Sequence, residues 1–345
     1  MASSNPPPAS LSPAFSAAFA RAAGPSRALR FDAFMALALY DPQLGYYRRD
    51  QLRVGRHHTA DFYTATSIGP LFGELVAAAS THLLKSAGLD PASHTFVEIG
   101  AEPTGSVLSG VATHPFAASR TLRVGQPLSL DGPCVVFSNE LFDAQPLRRF
   151  QRDASGWHET GVRLNEDGTS LCEADLGPAP SDVLDRLPPP ELTPEGYKFD
   201  APLAAATLAA EIAAQPWHGL FVAFDYGKTF AELGHSHPAG TARAYFQHTQ
   251  SNALLDRPGE QDLTAHVCWD WLANALAAHG FAAPTVVSQE SFMVHHAGDF
   301  ISEALIRESS RPGLSARKQA LMHLLHPGQM GQKFQVLHAL KPIPV

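Results

Sequence analysis

Acidic residues are missing from one long stretch of this chain: between Pro103 and Leu130 there is no Asp and no Glu. Cysteine is scarce as well. Cys134, Cys172 and Cys268 are too few and too scattered for a disulfide framework or a CxxC metal knuckle, so they read as core or surface thiols of a reducing compartment. No apolar run approaches the roughly 18 residues that would span a bilayer. The first dozen residues have neither a basic n-region nor a long apolar h-region, which argues against a secretory signal. No acid precedes Asp32 while Arg21, Arg27 and Arg30 do, a trait shared with mitochondrial presequences. Most of that segment reads instead as a structured first helix, and cytoplasm is the expected location. Charged residues are only 17% and the net charge is −8, which argues against a nucleic-acid or anionic-membrane surface.

What is present is a core. Apolar residues make up 45% of 345 positions, ample for one large α/β domain or two smaller ones and incompatible with a disordered chain. Residues 1–12 read as a flexible tail. Phe31, Phe34, Met35, Ala38 and Leu39 fall at helical spacing and Asp41-Pro42 ends that helix; a second helix is expected over 70–87. Both precede the first core strand and are expected to form an N-terminal helical cap, residues 13–92. An α/β domain follows over 93–345, with buried strands at 95–99, 133–138 and 220–224 alternating with helices. Within it, about 147–200, alternation around Phe150, Trp157 and Val162 predicts an antiparallel β insertion.

Three of these strands end in polar clusters: Glu98 to Gly105, Asn139-Glu140-Leu141-Phe142-Asp143, and Asp225-Tyr226-Gly227. In a doubly wound sheet ligands bind beyond such ends. Two readings stand for Asp143 and Asp225, chemistry or the capping of turns and helices. The first cluster has an acid and then Gly100 in the place where a nucleotide-type cofactor is cradled. Glu102 stands where the next glycine is expected, and Pro103 has no N–H to donate. His235, His237 and His248, and the pair His295-His296, lack ligand spacing and acid partners, so no metal is expected.

The ordered series of motifs resembles the MidA family of class I S-adenosylmethionine-dependent methyltransferases. It runs from Phe34-Met35 to Pro42 with Gly45-Tyr46-Tyr47, through Asp61-Phe62-Tyr63-Thr64, Pro70 to Glu74, Val97 to Ala101 and Ser138 to Pro146. It continues with Asp225-Tyr226-Gly227, Gly240-Thr241-x-Arg243-Ala244-Tyr245, Asp256 to Val267 and His326 to Leu337. The resemblance implies a Rossmann-like sheet and methyl transfer from S-adenosylmethionine, in the mitochondrial branch to a protein arginine. It further implies Glu140, Asp143 and Asp225 as catalytic acids that hold and polarise a guanidinium. Glu98, Gly100, Asn139 and Tyr63 fall on the cofactor side, and Arg243, Tyr245, Gln261, Asp262 and His266 on the substrate side. For Arg243 and His266 a structural role, a salt bridge to Asp262 or Glu260 and a helix-start hydrogen bond, stands beside the functional one. A protein substrate or partner is expected, with no nucleic acid and no membrane.

The chain departs from that family in three places. Gly100-Ala101-Glu102-Pro103-Thr104 replaces a Gly-Ala-Gly-x-Gly pattern, and Glu102 would repel the cofactor's carboxylate. Only 33 positions separate Gly100 from Pro133, room for one crossover where two strands and their helices are expected. The acid-free stretch also offers nothing to grip a ribose, so the sheet is expected to be truncated at strands 2–3 and the cofactor site to be degenerate. Cys268 stands where an acid is usual, and His57-His58-Thr59-Ala60 replaces a glycine-containing turn. Two functions remain: a methyltransferase, or a catalytically inactive homologue that binds a protein partner or serves as an assembly factor.

Overall fold

The computed structural model describes residues 11–48, 69–103, 105–309 and 315–343, which divide into two compact units. The second unit, residues 54–143, 206–227 and 267–345, is built on a six-stranded sheet. Its strand order is Ala282–Ser288, Gln335–Lys341, Trp217–Asp225, Gly132–Asn139, Thr95–Ile99, Ala118–Leu122. The last four run parallel, and Gln335–Lys341 is antiparallel to both its neighbours. The central strands are short apolar runs because both faces are covered. Phe72, on helix Pro70–Ser86, packs its ring 5.3 Å from that of Phe224, and Phe137 lies between Phe96 at 5.6 Å and Phe224 at 5.9 Å. Each of these fully buried rings contributes about 1.5–3 kcal/mol of hydrophobic stabilisation relative to exposure.

The expected loss of strands 2–3 is corrected in one respect. Ala118–Leu122 pairs in parallel with Thr95–Ile99, so the stretch after Gly100 does return one strand to the sheet. It forms the sheet edge, with no further strand beside it among the described residues.

The first unit, residues 1–53, 144–205 and 228–266, contains the antiparallel strands expected near 147–200. Ala28–Arg30, Gly156–Leu164, Arg148–Asp153 and Lys198–Ala201 lie in that order, with Leu171–Pro178 also paired to Gly156–Leu164. Ser12 caps helix Pro13–Ala23 by accepting from the Phe15 N–H, and helix Phe31–Tyr40 buries the five residues named by its periodicity. The stretch 13–92, read as a single cap, is thus divided. Its first two helices belong to this unit, whereas Pro70–Ser86 covers the parallel sheet of the other. No helix among the described residues is long and apolar enough to cross a membrane.

Candidate active site at the strand ends

Gly100 follows Thr95–Ile99 with φ +80°, a left-handed conformation that favours glycine. Its N–H donates to the Leu122 carbonyl at 2.8 Å, and a Cβ there would stand 2.9 Å from Leu141 Cδ1. Glu98 is buried and accepts the Val107 N–H at 2.7 Å, and the Ser106 side chain also hydrogen-bonds it. Burial pushes its carboxyl above the ordinary range against those two bonds, and Glu102 adds a smaller push in the same direction. Glu98 therefore ties the returning chain to the strand.

The resemblance calls for S-adenosylmethionine at this turn. An α/β site of this kind ordinarily presents the N–H groups of a following helix, and an acid at the next strand's tip holds the ribose. Here the crossover from Gly100 to Ala117 contains turns and bends but no helix among its described residues. The strand Ala118–Leu122 runs out into Arg123, which donates to the Pro103 carbonyl at 3.1 Å. The residues present do not fit that grip.

The neighbouring tip is differently made. Glu140 follows Gly132–Asn139 at φ +51°; its N–H donates to the Phe224 carbonyl at 2.9 Å, and the Asn139 amide donates to its carboxylate at 3.0 Å. Asp225 is fully buried and accepts the N–H groups of Phe142 at 2.9 Å, Asp143 at 3.3 Å and Tyr226 at 2.9 Å. Burial pushes its carboxyl up to about 8, helped by the charge of Glu140 and opposed by the backbone bonds. Asp143 is also buried. Of the three acids expected to act, only Glu140 is partly accessible; Asp225 anchors the turn that carries it.

The substrate-side residues are brought together with one another in the first unit. Arg243–Phe246 pairs with Asp262–Thr264, placing Tyr245 opposite Asp262. Arg243 donates to the carbonyls of Ala242 and Gly240, Tyr245 to Gln250, and the buried Gln261 amide to the carbonyls of Ala253 and Leu254. Asp262 accepts from its neighbour Leu263 N–H at 2.9 Å and from the Tyr47 hydroxyl at 2.8 Å. The His266 N–H donates to Thr241 Oγ1 at 3.3 Å, its ring meets that of His237 edge-on, and burial pushes its imidazole down to about 4. Tyr63 lies outside the described residues.

Reading the sequence missed what shapes the Gly240-Thr241 motif. Asp200 is buried and accepts the N–H groups of Thr241 and Ala242, both at 2.7 Å, while Arg149 donates to its other oxygen at 2.7 Å. A Cβ at Gly240, where φ is +74°, would run into that carboxylate. The available signal was an arginine pair, Arg148-Arg149, in a strand otherwise patterned for burial. Arg123 was missed as well, though the acid-free stretch around it was legible. Among the described residues no group of three His, Cys, Asp or Glu side chains could hold a metal ion.

A parallel sheet with one antiparallel strand next to its edge, and polar clusters at its strand tips, is the kind of mixed α/β sheet that S-adenosylmethionine-dependent methyltransferases have. Residues 121–287 match the family model described as "Putative S-adenosyl-L-methionine-dependent methyltransferase". A structure from Burkholderia thailandensis with S-adenosyl-homocysteine bound shares the fold at a TM-score of 0.80 and 24% identity, over 97% of this chain and 95% of that one. The mitochondrial protein arginine methyltransferase NDUFAF7 of Danio rerio is 26% identical over 89% of this chain and 82% of its own length. That of Mus musculus is 24% identical over 87% and 78%. The family model, the relatives and the shared fold together support a MidA-like methyltransferase family for this chain. The relatives' designation as mitochondrial overturns the expectation of a cytoplasmic location.

Proposed function

We propose that this chain recognises an arginine side chain of a protein, as the substrate half of a MidA-like protein arginine methyltransferase homologue. The observation that carries the reading is Glu140. It is a partly accessible carboxylate at the tip of a central strand, oriented by the Asn139 amide, on a turn anchored by Asp225 from beneath. A carboxylate so held can accept the planar fork of a guanidinium through two parallel N–H bonds. Asp143 and Asp225 act as positioning residues; Arg243, Tyr245, Gln261, Asp262 and His266, which the resemblance assigns to the substrate, form a cluster of the first unit taken by itself. The family reaction is methyl transfer to such a nitrogen, and relatives named as protein arginine methyltransferases support a protein as the partner. A second reading, a non-catalytic binding or assembly factor, is favoured by the turn at Glu102-Pro103 with Arg123 upon it.

The test is calorimetric titration with an arginine-bearing peptide, its lysine analogue and the Glu140→Gln variant. Loss of one charge-assisted pair should weaken arginine-peptide binding about tenfold, leaving the fold intact by circular dichroism. Equal affinity of wild type and variant would remove Glu140 from the site.

A further inference from the structure

The cofactor turn shows where its backbone donors go, and none of those traced reaches outward. Gly100 N–H donates to Leu122, Gly105 to the Glu102 carbonyl at 3.3 Å, and Ser106 to Ser109 Oγ at 2.8 Å. Val107 donates to Glu98, Leu108 to Ser106 Oγ at 3.2 Å, and Ser109 to the Ser106 carbonyl at 2.8 Å. Pro103 has no N–H, and its carbonyl receives Arg123. In an anion-binding turn these N–H groups are the binding apparatus, since they and a helix N-terminus beyond them meet the ligand's negative end.

We infer that the described residues after this strand, Gly100 and Gly105–Val111, form a closed turn whose traced donors are satisfied within the chain, and that this turn excludes S-adenosylmethionine from the place where the fold family holds it. Four features act in the same direction. The donors of Gly100 and of Gly105 to Ser109 are engaged within the chain. Leu141 lies against Gly100, 2.9 Å from where a Cβ would stand. Among the described residues no helix follows to turn its positive end toward a carboxylate. A basic residue, Arg123, stands where the ribose hydroxyls would need an acceptor. Opening the turn would leave Glu98, only 5% exposed, without its Val107 partner in a buried place, which is unfavourable for a carboxylate. Glu98 and Gly100 thus keep the family's sequence in a different role: they fasten the edge strand Ala118–Leu122 and its connection to the sheet.

This inference rests on the family assignment but not on arginine recognition, and two measurements on the unaltered full chain test it. The first is calorimetric titration with S-adenosylhomocysteine. No heat and no thermal shift at millimolar ligand are expected, and a Kd below about 100 µM overturns the inference. The second is amide hydrogen exchange of the ligand-free protein. Ser106 and Val107 should be protected at least about 100-fold over an unstructured peptide, because both donate internally. Exchange at the unstructured rate overturns the closed turn even if no ligand binds. Cofactor binding would leave arginine recognition standing, whereas a peptide indifferent to Glu140→Gln would leave the closed turn standing.

Discussion

Two adjacent parallel strands of one sheet end in turns that share a residue vocabulary and differ in what that vocabulary does. After Thr95–Ile99, the acid Glu98 is pulled inward to hold the returning backbone, and the glycine beside it is packed by Leu141. After Gly132–Asn139, the inward role falls to Asp225, contributed by the next strand, which accepts the backbone of Phe142 and Asp143. That leaves Glu140 at the tip in a left-handed conformation and partly accessible. At the second tip a group other than the strand-end acid satisfies the turn beneath it. At the first tip the acid is itself that group.

Breaking the support at the second tip should have the largest effect. Asp225→Ala leaves three backbone N–H groups, two of them buried and one part-buried, without their acceptor, a cost of roughly 3 kcal/mol in chemical denaturation. The 140–143 turn should loosen with it, and arginine-peptide binding should fall with stability. An unchanged denaturation midpoint would mean that Asp225 does not anchor the turn.

At the first tip, Gly100→Ala should cost about 1–3 kcal/mol, from the left-handed backbone and the approach to Leu141. Adding Leu141→Ala should remove part of that strain, so the double mutant is less destabilised than the sum of the singles. Strict additivity would show that Leu141 does not press on Gly100.

The smallest effect is a pH dependence. The Asp225 pKa is raised to about 8 in the folded state, so its contribution to stability is fully present below the ordinary aspartate value and is lost as pH rises through 8. His266 and His296, both pushed down to about 4 with burial the largest cause, lose stability in the opposite sense as pH falls from 6.5 toward 4. The interval from pH 6.5 to 8.5 therefore isolates Asp225 from these two. The midpoint should decline there in the wild type and flatten in Asp225→Asn; an identical decline in both would assign it elsewhere.

Much of the fold was legible because its signals are local. The helix Phe31–Tyr40 carries its buried face at regular spacing, and Thr95–Ile99 and Trp217–Asp225 are short apolar runs ending in polar residues. The strand Ala118–Leu122 was not: Ala-Ser-Arg-Thr-Leu has no buried-strand pattern, as befits a sheet edge with partly exposed side chains. The accessible role of Glu140 against the buried roles of Asp143 and Asp225 was equally hidden. All three are acids just past strand ends, and burial separates them only after the strands are laid side by side.

The sequence by itself determined the family resemblance, most of the strands and helices, and the poverty of the turn at Glu102-Pro103, because these rest on residue identity and near-neighbour periodicity. Only the tertiary structure decided which groups satisfy which. Glu98 meets Val107, Asp225 meets the turn at Phe142-Asp143, and Asp200 meets Thr241, across separations of 9, 83 and 41 residues. A buried carboxylate must find donors wherever the fold brings them, and no local pattern records where that is.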